Sequence, residues 1–283
     1  MMKQWAIRYL SYPLVFGGAA AAILWAATHG LPYWPTIPLM ALAAIACVAL
    51  LERWQPYEKA WLADHGDTAT DSLHFLLNAS VLYGSIEILS WARGLLPAPA
   101  AWPMHWPMHW PVWMQVGAAM IVLDFGLFFM HWLSHRHYRL WLFHEAHHSS
   151  ERLYWLNSER RHPLHAMMMG APGLAVLLVL GAPAATIASG LAILSVHLAF
   201  QHANLDYSLG PLRHAFGVAQ THRWHHKRDY ADAQVNFGEW LMLWDHLFRT
   251  YRQPPGRIGR DDVGLDSPDA PATYHRQLLR PFL

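Results

Sequence analysis

One cysteine in 283 residues, Cys47, sits inside an apolar run, so neither a disulfide framework nor a thiolate metal site can be built within one chain. Charge is scarce too: 14% of residues are Asp, Glu, Lys or Arg, where a water-soluble domain carries nearer a quarter. Neither sign dominates, with 20 Lys and Arg against 19 Asp and Glu for a formal net charge of +1. Such a balance gives no attraction for phosphate backbones, and no nucleic-acid partner is expected. Nucleotide-binding glycine fingerprints, flavin motifs, haem-attachment motifs and cysteine clusters are all missing, so any redox chemistry must draw its electrons from a separate protein. What is present is apolar side chains, 54% of the total, and 21 histidines. A mean hydropathy of +0.11 excludes disorder and points to a membrane.

The apolar residues are organised as spans. Between Arg8 and Glu52 lie 43 residues without a single Asp, Glu, Lys or Arg. At about 20 residues per crossing that is two helices, divided at His29-Gly30-Leu31-Pro32, where glycine and proline end helices. The 44 residues from His162 to Leu205 repeat the pattern, with Gly181-Ala182-Pro183 as the turn. A further span runs from about Val112 to Met130, interrupted only by Asp124. Residues 72–91 are the weakest candidate, since they include His74, Asn78 and Glu87. If they cross, the chain makes six passes and 19 of its 20 Lys and Arg share one side with both termini, leaving Arg93 opposite. Such asymmetry marks the cytoplasmic face, and the six-pass arrangement is preferred. The fold class expected is therefore all-α: a multi-pass transmembrane helical bundle of about four to six spans, with a histidine-rich cap on the cytoplasmic side. No cleavable leader is expected, because the first apolar stretch runs straight into a second span. The Trp102-Pro103-Met104-His105 and Trp106-Pro107-Met108-His109 repeat reads as an interfacial anchor.

Three histidine clusters stand out: His131 and His135; His144, His147 and His148; His222, His225 and His226. On a helix, positions i, i+3 and i+4 share a face, so each cluster can aim its imidazoles at a common point. Eight clustered histidines exceed what one ion takes, and the count points to two metals of the kind imidazole suits: iron, zinc, copper or nickel. Without metal, rings crowded this closely would desolvate one another and repel when protonated. His202 and His197, at the end of the last span, and His162, beside Pro163, extend the set of candidate ligands, and His165 on the far side of Pro163 either ligates or lines the site. Isolated histidines such as His29, His65, His105 and His275 read as surface or interfacial groups.

With these boxes in place, the sequence resembles the fatty acid hydroxylase and sterol desaturase superfamily of membrane di-iron enzymes, whose pattern is a spaced histidine pair followed by two HxxHH boxes. Supporting matches are Asp124, Leu140-Trp141, Ser149-Ser150, Arg161-His162-Pro163-Leu164, Phe200-Gln201-His202-Ala203-Asn204, Asn236-Phe237-Gly238 and Trp244-Asp245-His246-Leu247-Phe248. One departure is His165, where bacterial members often carry Glu. The resemblance covers residues 118–251 and implies a catalytic centre of His131, His135, His144, His147, His148, His222, His225 and His226 holding two iron ions, with O2 as co-substrate. It implies hydroxylation of a membrane lipid, fatty acyl, sterol-like or otherwise isoprenoid. Desaturation, or cleavage of an ether lipid after hydroxylation, stands as the alternative on the same metals. A membrane metal transporter is the remote one, disfavoured because transport needs ligands near mid-membrane reachable from both faces. Electrons are expected from a separate ferredoxin, cytochrome or reductase docking on Arg213, Arg223, Lys227 and Arg228, and Asp124, Asn157, Asp229, Asp232 and Asn236 are candidates for orienting the imidazoles. The expected organisation is membrane-anchor helices over residues 1–110, a hydroxylase-like domain over 111–253 and a polar C-terminal tail over 254–283.

Overall fold

A computed structural model describes residues 2–95, 105–266 and 273–283, so the first half of the Trp-Pro-Met-His repeat, up to Met104, lies outside the described residues. The fold is helical throughout, and among the described residues the only β pairing is three isolated bridges. The long helices are α1 (Met2–Thr28), α2 (Tyr33–Trp54), α3 (Thr68–Leu95), α4 (Val112–Ser134), α6 (Pro163–Leu180) and α7 (Ala184–His202). Shorter ones are α5 (Tyr138–His148), α8 (Ala219–His225), α9 (Leu243–Phe248) and α10 (Tyr274–Leu279). Helices α1, α2, α4, α6 and α7 are long and apolar enough to cross a membrane. Large apolar side chains on them, among them Trp5, Leu14, Leu39, Ile121 and Val176, face outward. An outer surface of that kind is stable only against lipid.

Local sequence sets the ends of the α6–α7 hairpin. Pro163 occupies the first turn of α6, where its missing N–H costs nothing, and His162 accepts the Leu164 amide through Nδ1 at 3.1 Å. The helix stops at Gly181, whose φ of 81° is the left-handed conformation that closes a helix and favours glycine. Pro183 then starts α7.

Contacts between connections sort the helix ends into two sets. At one end, Arg8 of α1 pairs with Asp206 at 2.8 Å, Tyr57 donates its amide to Asn204, and Arg152 holds Asp67, just before α3. At the other, Tyr33 at the start of α2 donates to Glu87 of α3, and Trp106, ahead of α4, donates its amide to Leu180. The chain therefore travels the length of the bundle six times, α3 included. At 28 residues α3 measures about 42 Å, but it carries Asp71, Glu87 and Arg93 and is not among the five most apolar helices.

Helix α7 is the central rod, with every residue from Thr186 to Leu194 and from Val196 to His202 buried. Its neighbours α4 and α6 meet at two glycines: a Cβ on Gly126 would stand 2.7 Å from the Gly173 amide nitrogen, and one on Gly173 would stand 2.8 Å from the Leu123 Cα. Small residues at a crossing let two backbones approach closely. This contact fixes where the C-terminal end of α4 emerges. The apolar core draws on α1, α2, α4, α6 and α7 together. Beyond the bundle end, the described parts of the C-terminal segment, residues 254–266 and 273–283, are docked: Ile258 and Val263 pack with Trp61 and Leu153, Gln277 bonds His74 at 2.7 Å, and Arg280 pairs with Glu145.

Candidate metal centre

All the histidine boxes fall at the end of the bundle that carries Asp206 and Asn204. Helix α4 delivers His131 in its last turn and His135 at its C-cap, α5 delivers His144, His147 and His148, α7 ends on His202, and α8 delivers His222 and His225 with His226 following. These nine imidazoles form two buried groups, in each of which the ring nitrogens lie within 4.8 Å of one another. One group is His131, His135, His144, His148 and His225; the other is His147, His202, His222 and His226. Each HxxHH box is divided between them. In α5 the i, i+4 pair, His144 and His148, joins the first group and His147 the second; in α8 the pair His222 and His226 joins the second and His225 the first. Two short helices thus interlock through reciprocal contributions, and α4 and α7 complete one group each.

The ring geometry fits metal ligation better than hydrogen bonding. Nε2 of His148 lies 3.2 Å from Nε2 of both His135 and His144; Nε2 of His202 lies 3.2 Å from that of His147 and 3.1 Å from that of His222, which is 3.0 Å from Nε2 of His226. Neutral imidazole has one proton for two nitrogens, so these chains of facing nitrogens cannot all be hydrogen bonds. Nitrogens bound to one ion at ~2.1 Å, with ordinary ligand angles, stand about 3.0–3.4 Å apart. Moreover, Nε2 of His131 and of His225 are buried with no hydrogen-bond partner. Nδ1 of these rings contacts the carbonyls of Phe237 and Val235 at 2.9 Å, and Nδ1 of His202 contacts that of Leu198 at 3.1 Å. A carbonyl only accepts, so Nδ1 carries the proton and Nε2 keeps its lone pair for a cation.

Burial reinforces this. It drives His135, His144, His147, His148, His222, His225 and His226 well below the ordinary imidazole range, and neighbouring histidines add to the shift. The rings are neutral, as ligands must be. Beside them stands Glu239, buried, 3.1 Å from Nδ1 of His131 and 3.2 Å from Nη2 of Arg161. Burial favours its acid form, but Arg161 and His131 outweigh it and hold the carboxyl below the usual range.

Two of the sequence candidates lie outside both groups with their nitrogens engaged elsewhere. His197 bonds the Tyr12 hydroxyl at 2.7 Å and the Gly217 carbonyl at 3.0 Å; His162 bonds the Leu278 carbonyl and caps α6. His165 bonds Ser134 and stacks near His144 without joining a group. The groups expected to orient imidazoles do other work. Asp124 accepts the Trp240 and Leu241 amides and the Trp244 indole, Asn157 donates to Asp71, and Asn236 donates to the Thr221 and Arg252 carbonyls. Asp229 accepts the Asp232 amide, and Asp232 pairs with Lys227. Backbone carbonyls, Glu239 and Gln234, which contacts His135 at 3.1 Å, orient the rings instead. Glu239 could have been noticed as the acidic residue directly after Asn236-Phe237-Gly238. Arg223 is also unavailable for docking a donor: it is buried, stacked on Tyr57 and bonded to the Ala203 and Leu205 carbonyls.

The profile of the fatty acid hydroxylase family matches residues 116–250, a stretch that contains all nine grouped histidines. An ornithine lipid hydroxylase of Rhizobium tropici is 35% identical over 250 residues, 85% of this chain and 74% of the relative. The chain belongs to the fatty acid hydroxylase family. Alkylglycerol monooxygenases of Danio rerio and Homo sapiens are 28% and 27% identical over 147 and 141 residues, about half of this chain and 31% and 30% of theirs. No solved structure matches significantly. As a member of this family the chain is a lipid-oxidising oxidoreductase, and its nine grouped histidines could hold metal.

Proposed function

We propose that each histidine group holds one iron ion and that the pair serves the hydroxylation of a lipid C–H bond, with dioxygen as co-substrate and electrons from a separate donor. The observation that carries this reading is the division of nine buried imidazoles into two adjacent all-nitrogen sets, a donor type suited to iron. Once bound, the iron pair supplies the activation of dioxygen that attack on an unactivated C–H bond demands. The remaining work belongs to this chain. Phe237, Val235 and Leu198 hold ring orientation through their carbonyls, and Glu239 raises the basicity of His131. Leu127, Leu174 and Leu198 help wall an apolar cavity of about 560 Å³ that receives an alkyl chain and keeps water away. That cavity reaches Arg161, whose guanidinium bonds Glu239 and through it meets His131.

The site is assigned to the cytoplasmic face, supported by the one-sided distribution of Lys and Arg. The donor, a ferredoxin, cytochrome or reductase, docks there near Arg213, Lys227 and Arg228, and turnover with a purified donor falls as ionic strength rises. Ornithine lipid is the first substrate to test, since the Rhizobium tropici relative is named for it. The deciding experiment is metal analysis of the purified chain together with mass spectrometry of lipids incubated under labelled dioxygen. Two irons per chain and a product carrying one labelled oxygen are expected; exchangeable zinc without oxygen uptake would instead favour a transporter. The alkylglycerol monooxygenase relatives favour one second reading. Hydroxylation beside an ether oxygen gives a hemiacetal that breaks into an aldehyde and an alcohol, and the appearance of a fatty aldehyde from an alkylglycerol would select it.

A further inference from the structure

Two apolar cavities share part of their lining, including one carboxylate. One, about 640 Å³, lies between α2 and α3; the other, about 560 Å³, runs between α3, α6 and α7, and Leu82, Glu159 and Ser195 line both. Glu159 ends the helical turn Trp155–Glu159, and its carboxylate makes no hydrogen bond or ion pair with the described residues. Burial pushes that carboxyl upward, offset in part by the nearby charge of Arg161. Asn78 of α3 donates through Nδ2 to the carbonyls of Glu159 and Arg161, at 2.8 and 2.9 Å, which pins these two residues over the second cavity. Its own Oδ1 is buried without a partner, and so is Nε of Arg161. A cavity walled by Met169, Leu174 and Leu191 thus carries Glu159, Asn78 and Arg161 in its lining, with Ser85 and Ser195 as its other polar residues.

Buried polar groups in native proteins are nearly always matched, and two unmatched ones, Asn78 Oδ1 and Arg161 Nε, on residues that line one cavity together with the half-buried, unbonded carboxylate of Glu159, describe a ligand's polar end. We propose that Glu159, Asn78 and Arg161 form a headgroup subsite for an amphoteric lipid, with an ammonium set on Glu159 and Asn78 and a carboxylate or carbonyl on Arg161. Through the Arg161–Glu239–His131 contacts this subsite adjoins the first histidine group, so the bound headgroup fixes which carbon lies before the metals. A neutral or purely anionic lipid would leave Glu159 with only the nearby charge of Arg161 to offset its burial.

The inference rests on the reading of the substrate as a lipid, and its test is equilibrium binding, independent of turnover. The full chain in detergent is titrated with ornithine lipid, which carries an ammonium and a carboxylate, and with its N-acetylated form, which lacks the ammonium. The parent lipid should bind more tightly by about tenfold to a hundredfold, the range for a charge-assisted hydrogen bond, and Glu159→Gln should erase the difference. Unchanged binding of the acetylated lipid by the variant certifies its fold. Equal binding of both lipids by the unmodified chain, or persistent discrimination in Glu159→Gln, overturns the subsite. Iron content is measured on the same samples: discrimination without iron refutes the metal assignment alone, and iron without discrimination refutes the subsite alone.

Discussion

His225 and His222 are three residues apart on one short helix yet serve different groups, so their replacement has separable consequences. His225→Ala is expected to cost the ion of the first group and His222→Ala the ion of the second, each leaving the other ion bound at saturating iron but more weakly held, since both groups draw on α5 and α8; loss of both at saturating iron from either variant would mean one shared centre. His197→Ala is the matched control. It removes a buried ring bonded to Tyr12 and Gly217 and should lower stability while both ions stay. Glu239→Gln keeps the shape beside His131 but removes the charge, and metal retention in a chelator competition should weaken by about 10–100-fold. Box membership was legible in the sequence because i, i+3 and i+4 share a helix face. The division of each box was not, since which of two ions a ring meets depends on the helix packed opposite. His202 and His197 could have been separated by spacing alone: five residues turn a helix by about 500°, which sends the two rings to different sides. Glu239 and Gln234 lie in loops without periodicity, and only the return of that chain past α4 brings them to the rings.

Among the elements, the α4–α6 crossing bears directly on the position of His131 and His135. A Gly173→Ala side chain would meet the Leu123 Cα at 2.8 Å and the Val122 carbonyl oxygen at 3.1 Å, backbone that must shift, and overpacking of that kind costs about 1–3 kcal/mol. Lower thermal stability in detergent is expected, together with weaker metal retention in the first group, because α4 must shift. Gly117→Ala, on the same helix with open space around it, should be neutral; equal losses in both variants would show that the close approach is not what matters. Helix α2 reaches the site differently. Glu52, buried near its end, accepts the amides of Trp155 and Asn204 at 3.1 and 3.0 Å, tying the turn before Glu159 to the segment after His202. Glu52→Leu would orphan both amides at about 1–3 kcal/mol each, and proteolysis within residues 149–162 should accelerate. The spans themselves were readable from charge-free runs, and both hairpin turns fall at the expected Gly and Pro residues. The full length of α3 was less so, because its polar first turns, Asp71, His74 and Asn78, bond loop 149–162 and the C-terminal segment, contacts that no local pattern announces.

For the whole molecule, the histidine end is the place where stability and function are set against each other. Nine imidazoles are drawn from α4, α5, α7 and α8 and the residues beside them, and two of the nitrogens turned toward the metal positions, Nε2 of His131 and of His225, lack a hydrogen-bond partner. A buried unmatched group costs about 1–3 kcal/mol, so this end of the bundle is held together by cations or held together poorly. An ion that binds only the folded chain stabilises it by about 2.7 kcal/mol at a hundred times its dissociation constant and 4.1 at a thousand, and two sites act independently only if their groups do not share a helix. Here they share α5 and α8. Stripping metal with a membrane-compatible chelator should therefore lower the unfolding midpoint in a single step, and restoring iron should return it. The first two helices should remain inserted throughout, since α1 and α2 contribute no imidazole to either group. Hydrogen exchange followed on the chelated protein locates the change: faster exchange over residues 131–148 and 202–226, with residues 2–54 unaffected, is the expected pattern. An unfolding midpoint indifferent to metal would mean that the facing nitrogens are satisfied by protons and water, and that the two groups are polar packing instead of ligand sets.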